Sequence, residues 1–320
     1  MSRIITVFGA TGAQGGGLAR AILTDPQQRL RVRAVTRKPG SPAARALSES
    51  GADVVVADLD DAASVRSAMD GAHGAFCLNN FWEHFSADME LAQATTMAQA
   101  ALDAGVKHVI WSTLEDTREF VAPGSRMPLL MGKYNVPHFD AKGEANRAFI
   151  DRNVPTTLLY TSFYWENLIH FGMQPQRGAD GVLDFVLPMG EAKLPGIAVG
   201  DIGACAFGIF ARGEELIGKS IGIAGEHLTG AQMAAQLALA LGEPVRHVAM
   251  TPSQFAALGF PGADDVANMF QFKTEFEDMF CAARRVESSR DLNPRLQSFS
   301  QWLVRNAKRI PIAPRVGAPA

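Results

Sequence analysis

Cysteine is scarce in this chain of 320 residues. Its three cysteines, Cys77, Cys205 and Cys281, stand far apart and form neither a CxxC pair nor a metal-ligand spacing. They read as free thiols in a reducing compartment. Positive charge is not in excess. Thirty Lys and Arg against 33 Asp and Glu leave a net charge of −3, with no basic stripe or basic tail. That argues against a nucleic-acid partner held through phosphates. Long apolar runs are missing too. The longest, residues 202–211, falls short of the ~20 residues that a spanning helix needs. The first residues enter a strand pattern directly and show no signal peptide. No internal repeat is visible. The expectation is a soluble cytoplasmic protein with no membrane contact.

What is present is ample apolar material, 47% of the chain, arranged in alternating strand and helix patterns. Strands are expected near residues 3–8, 30–36, 53–57, 73–78, 107–112 and 155–160, with helices between them. Ser41 followed by Pro42 marks the start of the second helix. Each βαβ unit crosses over right-handed, so the fold class is α/β: a Rossmann doubly wound parallel sheet with a smaller C-terminal α+β lobe. After the sixth strand the rhythm breaks. Residues 161–200 are rich in Gly, Pro and aromatics and carry no clear period. A strand returns at 220–224, then an apolar helix from Thr229 to about Leu241. A last helix carries Phe299, Trp302 and Leu303. The expected division is 1–160 plus 201–228 for the main domain and 161–200 plus 229–308 for the smaller lobe. Residues 309–320 are expected as a flexible tail. A ligand cleft is expected between the lobes, outside the carboxyl ends of the strands.

The most informative motif follows the first strand: Gly9-Ala10-Thr11-Gly12-Ala13-Gln14-Gly15. A helix opening at such a turn offers unpaired N–H groups and a partial positive charge, which suit a diphosphate. Gly9 permits the tight turn, Gly12 lets backbone approach the pyrophosphate, and Gly15 lets the helix sit close on the strand. The spacing is GxxGxxG, as in extended and atypical short-chain dehydrogenases. Gly9, Thr11, Gly12, Gln14 and Gly15 are therefore candidate cofactor contacts.

The second strand ends Val35-Thr36-Arg37-Lys38, without the acid that would bond the ribose hydroxyls of NAD. Arg37 can grip a 2′-phosphate through two charge-assisted hydrogen bonds, and Lys38 adds a second positive charge. NADP(H) is the expected nicotinamide dinucleotide. Asp58, after the third strand, stands where a carboxylate can meet the adenine amino group. It is equally a candidate helix cap, a role that Asp60 or Asp61 is better placed to fill.

Short-chain dehydrogenases place Tyr-x-x-x-Lys on the helix facing the nicotinamide. Here that helix reads Pro137-His138-Phe139-Asp140-Ala141-Lys142-Gly143-Glu144. Lys142 is in place, and His138 stands four residues earlier, where the Tyr would be. The spacing puts both on one face. Lys142 is expected on the ribose. His138 either carries a proton, as histidine can near neutral pH, or caps the helix or lines the pocket without chemistry. Tyr134 lies beyond the helix start and does not substitute for the missing Tyr. Ser112 and Thr113 end the fifth strand. Thr113 either assists Lys142 and the substrate or is a plain strand end. Asn79 and Asn80, after the fourth strand, are candidates for the ribose and phosphate edge, with Phe81 and Trp82 as cleft wall or core. Residues 114–134 form a connection long enough for a lid or binding loop.

Together these residues resemble the NmrA-like family of atypical short-chain dehydrogenases, and within it the HSCARG-type NADPH-sensor branch. The likeness rests on residues 7–16, 35–37 and 80–83, on His138-Phe139-Asp140-Ala141-Lys142-Gly143-Glu144, on Glu166-Asn167 and 250–252, and on Leu258-Gly259-Phe260-Pro261-Gly262-Ala263 with 267–270. It covers roughly residues 3–308. The resemblance implies an NADP(H) site made by Gly9, Gly12, Gln14, Gly15, Arg37, Asp58, Asn80 and Lys142. Phe163 belongs to the stretch that forms the pocket floor beside the nicotinamide. That stretch departs from the Arg-Pro frequent in the family, since Thr161-Ser162 stands ahead of Phe163. The substrate is therefore not inherited with the fold. Two functions follow as expectations. One is a redox-responsive regulator with little turnover, acting through a regulatory protein partner or a homodimer. The other is an NADPH-dependent reductase of a small carbonyl, quinone or imine that uses His138 and Lys142.

Overall fold

A computed structural model describes residues 3–313. Seven parallel strands form the main sheet: β1 (Arg3–Val7), β2 (Leu30–Thr36), β3 (Asp53–Val56), β4 (Gly74–Cys77), β5 (His108–Thr113), β6 (Thr156–Tyr160) and, after an interval, β11 (Ser220–Gly222). Their spatial order is β11-β6-β5-β4-β1-β2-β3. The order reverses between β1 and β4, so a crevice opens over the carboxyl ends of these two strands. Helices α1 (Ala13–Leu23), α2 (Pro42–Glu49), α3 (Ala62–Met69), α4 (Phe81–His84), α5 (Ala87–Asp103) and α6 (Pro137–Ile150) connect them. Local chemistry starts several of them. Ser41 Oγ accepts from Ala44 N, and Asp61 Oδ1 accepts from Ala63 N and Ser64 N.

Beyond β6 the elements are β7 (Phe163–Tyr164), α7 (Asn167–His170), β8 (Gln176–Arg177), β9 (Leu183–Val186), β10 (Leu194–Ile197), α8 (Val199–Arg212), then β12 (Glu226–Leu228), α9 (Gly230–Leu241) and β13 (Val245–Val248). Helices α10 (Pro252–Ala256), α11 (Ala263–Glu275), α12 (Glu277–Ala282), α13 (Val286–Leu292) and α14 (Phe299–Asn306) follow. Strands β7 to β10 have two to four residues each. That is too short to display a period of two, which is why 161–200 looks patternless in sequence.

The apolar interior has three parts. One face of the main sheet buries Ile5, Val7, Ile22, Phe76 and Ile110 with Ile202 and Ile209 of α8. The other buries Val65, Met69, Met97, Val109, Trp111 and Phe149. The third cluster joins Trp165, Phe185, Phe270, Phe272 and Trp302 in the smaller lobe. Ile310 is buried with that third cluster, and residues 314–320 of the expected tail lie outside the described residues. No helix among the described residues is long and apolar enough to cross a membrane.

Candidate functional site

The glycine turn lies at the switch point. Gly9 has φ +62°, the left-handed region where a side chain is strained, and its carbonyl accepts from Gly12 N at 2.9 Å. A Cβ on Gly15 would stand 2.5 Å from the Gly9 oxygen and 2.6 Å from the Phe8 oxygen, so only hydrogen fits. Gly12 is the N-cap of α1 and caps it with no side chain. The first N–H groups of this helix therefore stay available for an anionic ligand. Gln14 bridges two side chains of other elements. Its Nε2 donates to Tyr164 Oη at 2.6 Å and its Oε1 accepts from Ser112 Oγ at 2.8 Å.

At the end of β2, Arg37 Nη2 lies 2.7 Å from Glu83 Oε2 of α4, with both side chains about half exposed. Lys38 donates its backbone N–H to Thr36 Oγ1. Asp58 is exposed and its Oδ1 accepts from Asp60 N, in a turn leading to the Asp61 cap. Asn80 precedes α4 and its amide reaches Glu83 Oε1 at 3.5 Å.

Helix α6 supplies the centre of the cleft. Pro137 at its first turn fixes the start, so His138 and Lys142 fall one turn apart. Lys142 Nζ donates to the Asn79 carbonyl at 3.0 Å and to Asn79 Oδ1 at 2.8 Å. It also lies 2.6 Å from Glu90 Oε1 on α5, and Glu90 is fully buried. Its ammonium sits over the Trp111 ring, 5.3 Å from the centroid. His138 is buried. Its Nδ1 lies 2.7 Å from Asp265 Oδ1, and its backbone N–H donates to Asp265 Oδ2 at 3.1 Å. The imidazole packs on Trp82, with centroids 4.7 Å apart. Residues 138 and 265 thus form an oriented His–Asp pair that spans α6 and α11.

Thr113 is turned inward. Its hydroxyl bonds the Lys142 carbonyl at 3.1 Å and Asn146 Oδ1 at 2.7 Å, which ties β5 to α6. Phe163 is buried in the smaller lobe's core, whereas its neighbour Tyr164 meets Gln14. Burial raises the Tyr164 hydroxyl above the ordinary tyrosine value, with hydrogen bonds from Thr161 and Gln14 opposing it. Burial likewise pushes the Cys77 thiol up, so it stays protonated. Tyr134 lies under the Arg118 guanidinium, its hydroxyl 3.5 Å from Glu144 Oε2. No cluster of metal-ligating side chains occurs among the described residues.

Sequence reasoning did not find Glu83, Glu90, Tyr164 or Asp265. Glu90 reads as an ordinary acid in the first turn of a helix, and Asp265 is 127 positions from its partner. A separate cleft of about 520 Å³ lies on another face of α11, lined by Pro128, Pro188, Met250, Pro252, Ala256 and Asn268 among others. None of the expected cofactor residues lines it.

Comparison with known proteins agrees with this architecture. The family model described as the NmrA-like family matches residues 1–303. An NmrA-like family domain-containing oxidoreductase, FrzB of Cladobotryum sp, is 30% identical over 291 residues, covering 85% of this chain and 84% of that protein. Among solved structures, the negative transcriptional regulator NmrA in complex with NADP superposes with TM-score 0.76 at 21% identity, over 95% of this chain and 94% of that one. The Citrobacter sp. triphenylmethane reductase complexed with NADP(H) gives TM-score 0.72 at 19% identity, over 96% and 100%.

Proposed function

The chain belongs to the NmrA-like family, and from that premise we propose that it is an NADP(H)-binding, redox-responsive regulator with little or no dehydrogenase turnover. The observation that carries cofactor binding is the glycine turn itself: a cradle with no room for a Cβ at Gly15 and an uncapped helix start at Gly12. The diphosphate would lie on these N–H groups. Arg37, with Lys38 beside it, would take the 2′-phosphate, for which it must leave Glu83. Lys142 and Asn79 would face the nicotinamide ribose, and Asp58 and Asn80 the adenosine half.

Low turnover is supported by what stands where a proton donor is needed. No tyrosine precedes Lys142 by four residues. Of the three tyrosines, Tyr134 faces Glu144, Tyr160 lies by Asn146, and Tyr164 is engaged by Gln14. Within the family we assign the chain to the HSCARG-type sensor branch, on the runs at 138–144 and 258–263. A regulatory partner or a homodimer would read the cofactor state.

A reductase is the second reading, favoured by the His138–Asp265 pair. Bound NADPH supplies a hydride, and His138 would return the proton from an imidazole held in one orientation by Asp265. Calorimetric titration with NADPH, NADP⁺ and NADH tests cofactor choice. The phosphorylated forms bind and NADH binds weakly, and Arg37→Ala removes most of that preference, a loss of about 10-fold or more. Equal affinity for NADH overturns the assignment. Rapid NADPH oxidation with quinones or small carbonyls, above a Lys142→Ala control, favours the reductase.

A further inference from the structure

Among the described residues, Glu90 is a buried carboxylate with both oxygens short of hydrogen bonds. Its side chain is fully buried, yet neither carboxylate oxygen accepts a hydrogen bond. Two groups face it: the Lys142 ammonium, with Nζ 2.6 Å from Oε1, and the His84 imidazole, with Nε2 3.4 Å from Oε2. His84 Nε2 is itself buried without a hydrogen-bond partner. Ser86 N–H donates to His84 Nδ1 at 3.1 Å, so that nitrogen holds a lone pair and the neutral ring carries its proton on Nε2, toward Glu90. Buried polar groups are normally paired, and a cluster that is not has a reason.

The reason is visible in the position of Lys142. Its ammonium is held by Asn79 and Glu90, and it is the group assigned above to the nicotinamide ribose. We propose that Glu90 is the positioning residue of the cofactor site: it aims Lys142, and when the dinucleotide draws that ammonium toward its ribose, the Glu90–His84 pair takes up a proton from solution. This rests on the NADP(H) reading above. The balance is simple. Lys142 keeps its proton, and its charge is shared with the incoming hydroxyls. A carboxylate in a dry interior cannot stay charged with its neutralising partner withdrawn. The proton enters on His84 Nδ1, with loss of the Ser86 bond, and the imidazolium takes the place of Lys142 as the carboxylate's partner. His84 retains some access to water, with 15% of its side chain exposed.

The neighbours leave this pair alone in the task. From α6, Lys142 faces it, while His138 is bonded to Asp265; the Phe81 ring packs near both imidazoles, its centroid 6.0 Å from His84 and 6.2 Å from His138. From α4, Glu83 is turned to Arg37. From α3, Arg66 pairs with Asp103 at the far end of α5. From β4, Cys77 is protonated.

The test is calorimetric titration of the full chain with NADP⁺ at pH 7.5 in two buffers of contrasting ionisation enthalpy. The expected result is an uptake of a few tenths of a proton per site, with affinity about twofold weaker per pH unit between 7 and 8.5. Glu90→Gln and His84→Asn should each bind NADP⁺ with heats that do not depend on the buffer. His84→Asn removes no buried charge, so it serves if Glu90→Gln fails to fold. Clear binding by the wild type with buffer-independent heats, or unchanged uptake in a folded variant, overturns the inference and leaves the NADP(H) reading standing. No binding by the wild type overturns both.

Discussion

Arg37 and Glu83 pose the question of cofactor choice as a competition between two anions. The guanidinium follows the second strand and, with Lys38 beside it, is the group proposed to tell a 2′-phosphate from a hydroxyl; a carboxylate already holds it at 2.7 Å. Half-exposed pairs of this kind contribute little, about 0.2–1 kcal/mol. Glu83→Gln should therefore strengthen NADPH binding about two- to fivefold while leaving NADH unchanged, as measured by titration. A drop in NADPH affinity would show that Glu83 orients Arg37 rather than competing for it. His138 and Lys142 were legible from their spacing alone, because helix geometry puts positions four apart on one face. Their acidic partners were not. Asp265 and Glu90 lie on helices that only packing brings to α6.

At the scale of elements, α6 does two jobs. One face carries His138 and Lys142, which meet Asp265 and Glu90. The other anchors the long connection from β5. Asp140 Oδ1 accepts from Thr117 N and Thr117 Oγ1, and its Oδ2 accepts from Asn135 N and Val136 N. Gly143 makes the closeness possible, since a Cβ there would lie 2.5 Å from Asp116 N. One buried side chain thus pins both ends of residues 117–136. Asp140→Ala should cost roughly 2–4 kcal/mol by leaving buried N–H groups unpaired. It should also open residues 122–132 to protease, read by limited digestion and thermal melting. An unchanged digestion pattern would mean that the loop is held elsewhere, for instance by Asn268, which donates to the Pro128 and Asn135 carbonyls. The loop was evident in sequence from its length. Its attachment was not, because Asp140 looks like an ordinary acid of a first turn.

For the whole molecule, the smaller lobe carries a burden that its stability should reveal. Lys273 is 4% exposed and its ammonium lies among the rings of Phe139, Phe270 and Phe280, with Met269 Sδ at 3.3 Å. Burial, and then the charge of Arg284, lower its pKa to about 7, against an opposing pull from Glu115. An unfolded lysine binds its proton below pH ~10.5, whereas the folded one does so only near 7. Folding stability from this group is therefore complete above pH ~10.5 and is lost as pH falls toward 7. Lys273→Met should raise the melting temperature by a few degrees at pH 7, and the gain should shrink toward pH 10. A loss at pH 7 would show that the ammonium's contacts with the three rings outweigh its desolvation.

The sequence by itself determined what depends on near neighbours in the chain. That covers the alternation of β1 to β6 with helices, the Ser41 and Asp61 regions as helix starts, the glycine turn, the basic end of β2 and the four-residue step from His138 to Lys142. Each follows from backbone sterics, side-chain period or capping, which act over a few residues. Tertiary structure alone decided which polar side chains meet: Arg37 with Glu83, Lys142 with Glu90, His138 with Asp265, Gln14 with Tyr164. These contacts join elements whose approach is set by burial of non-directional apolar surface, and no local rule encodes which polar side chains that burial brings within 3 Å of one another.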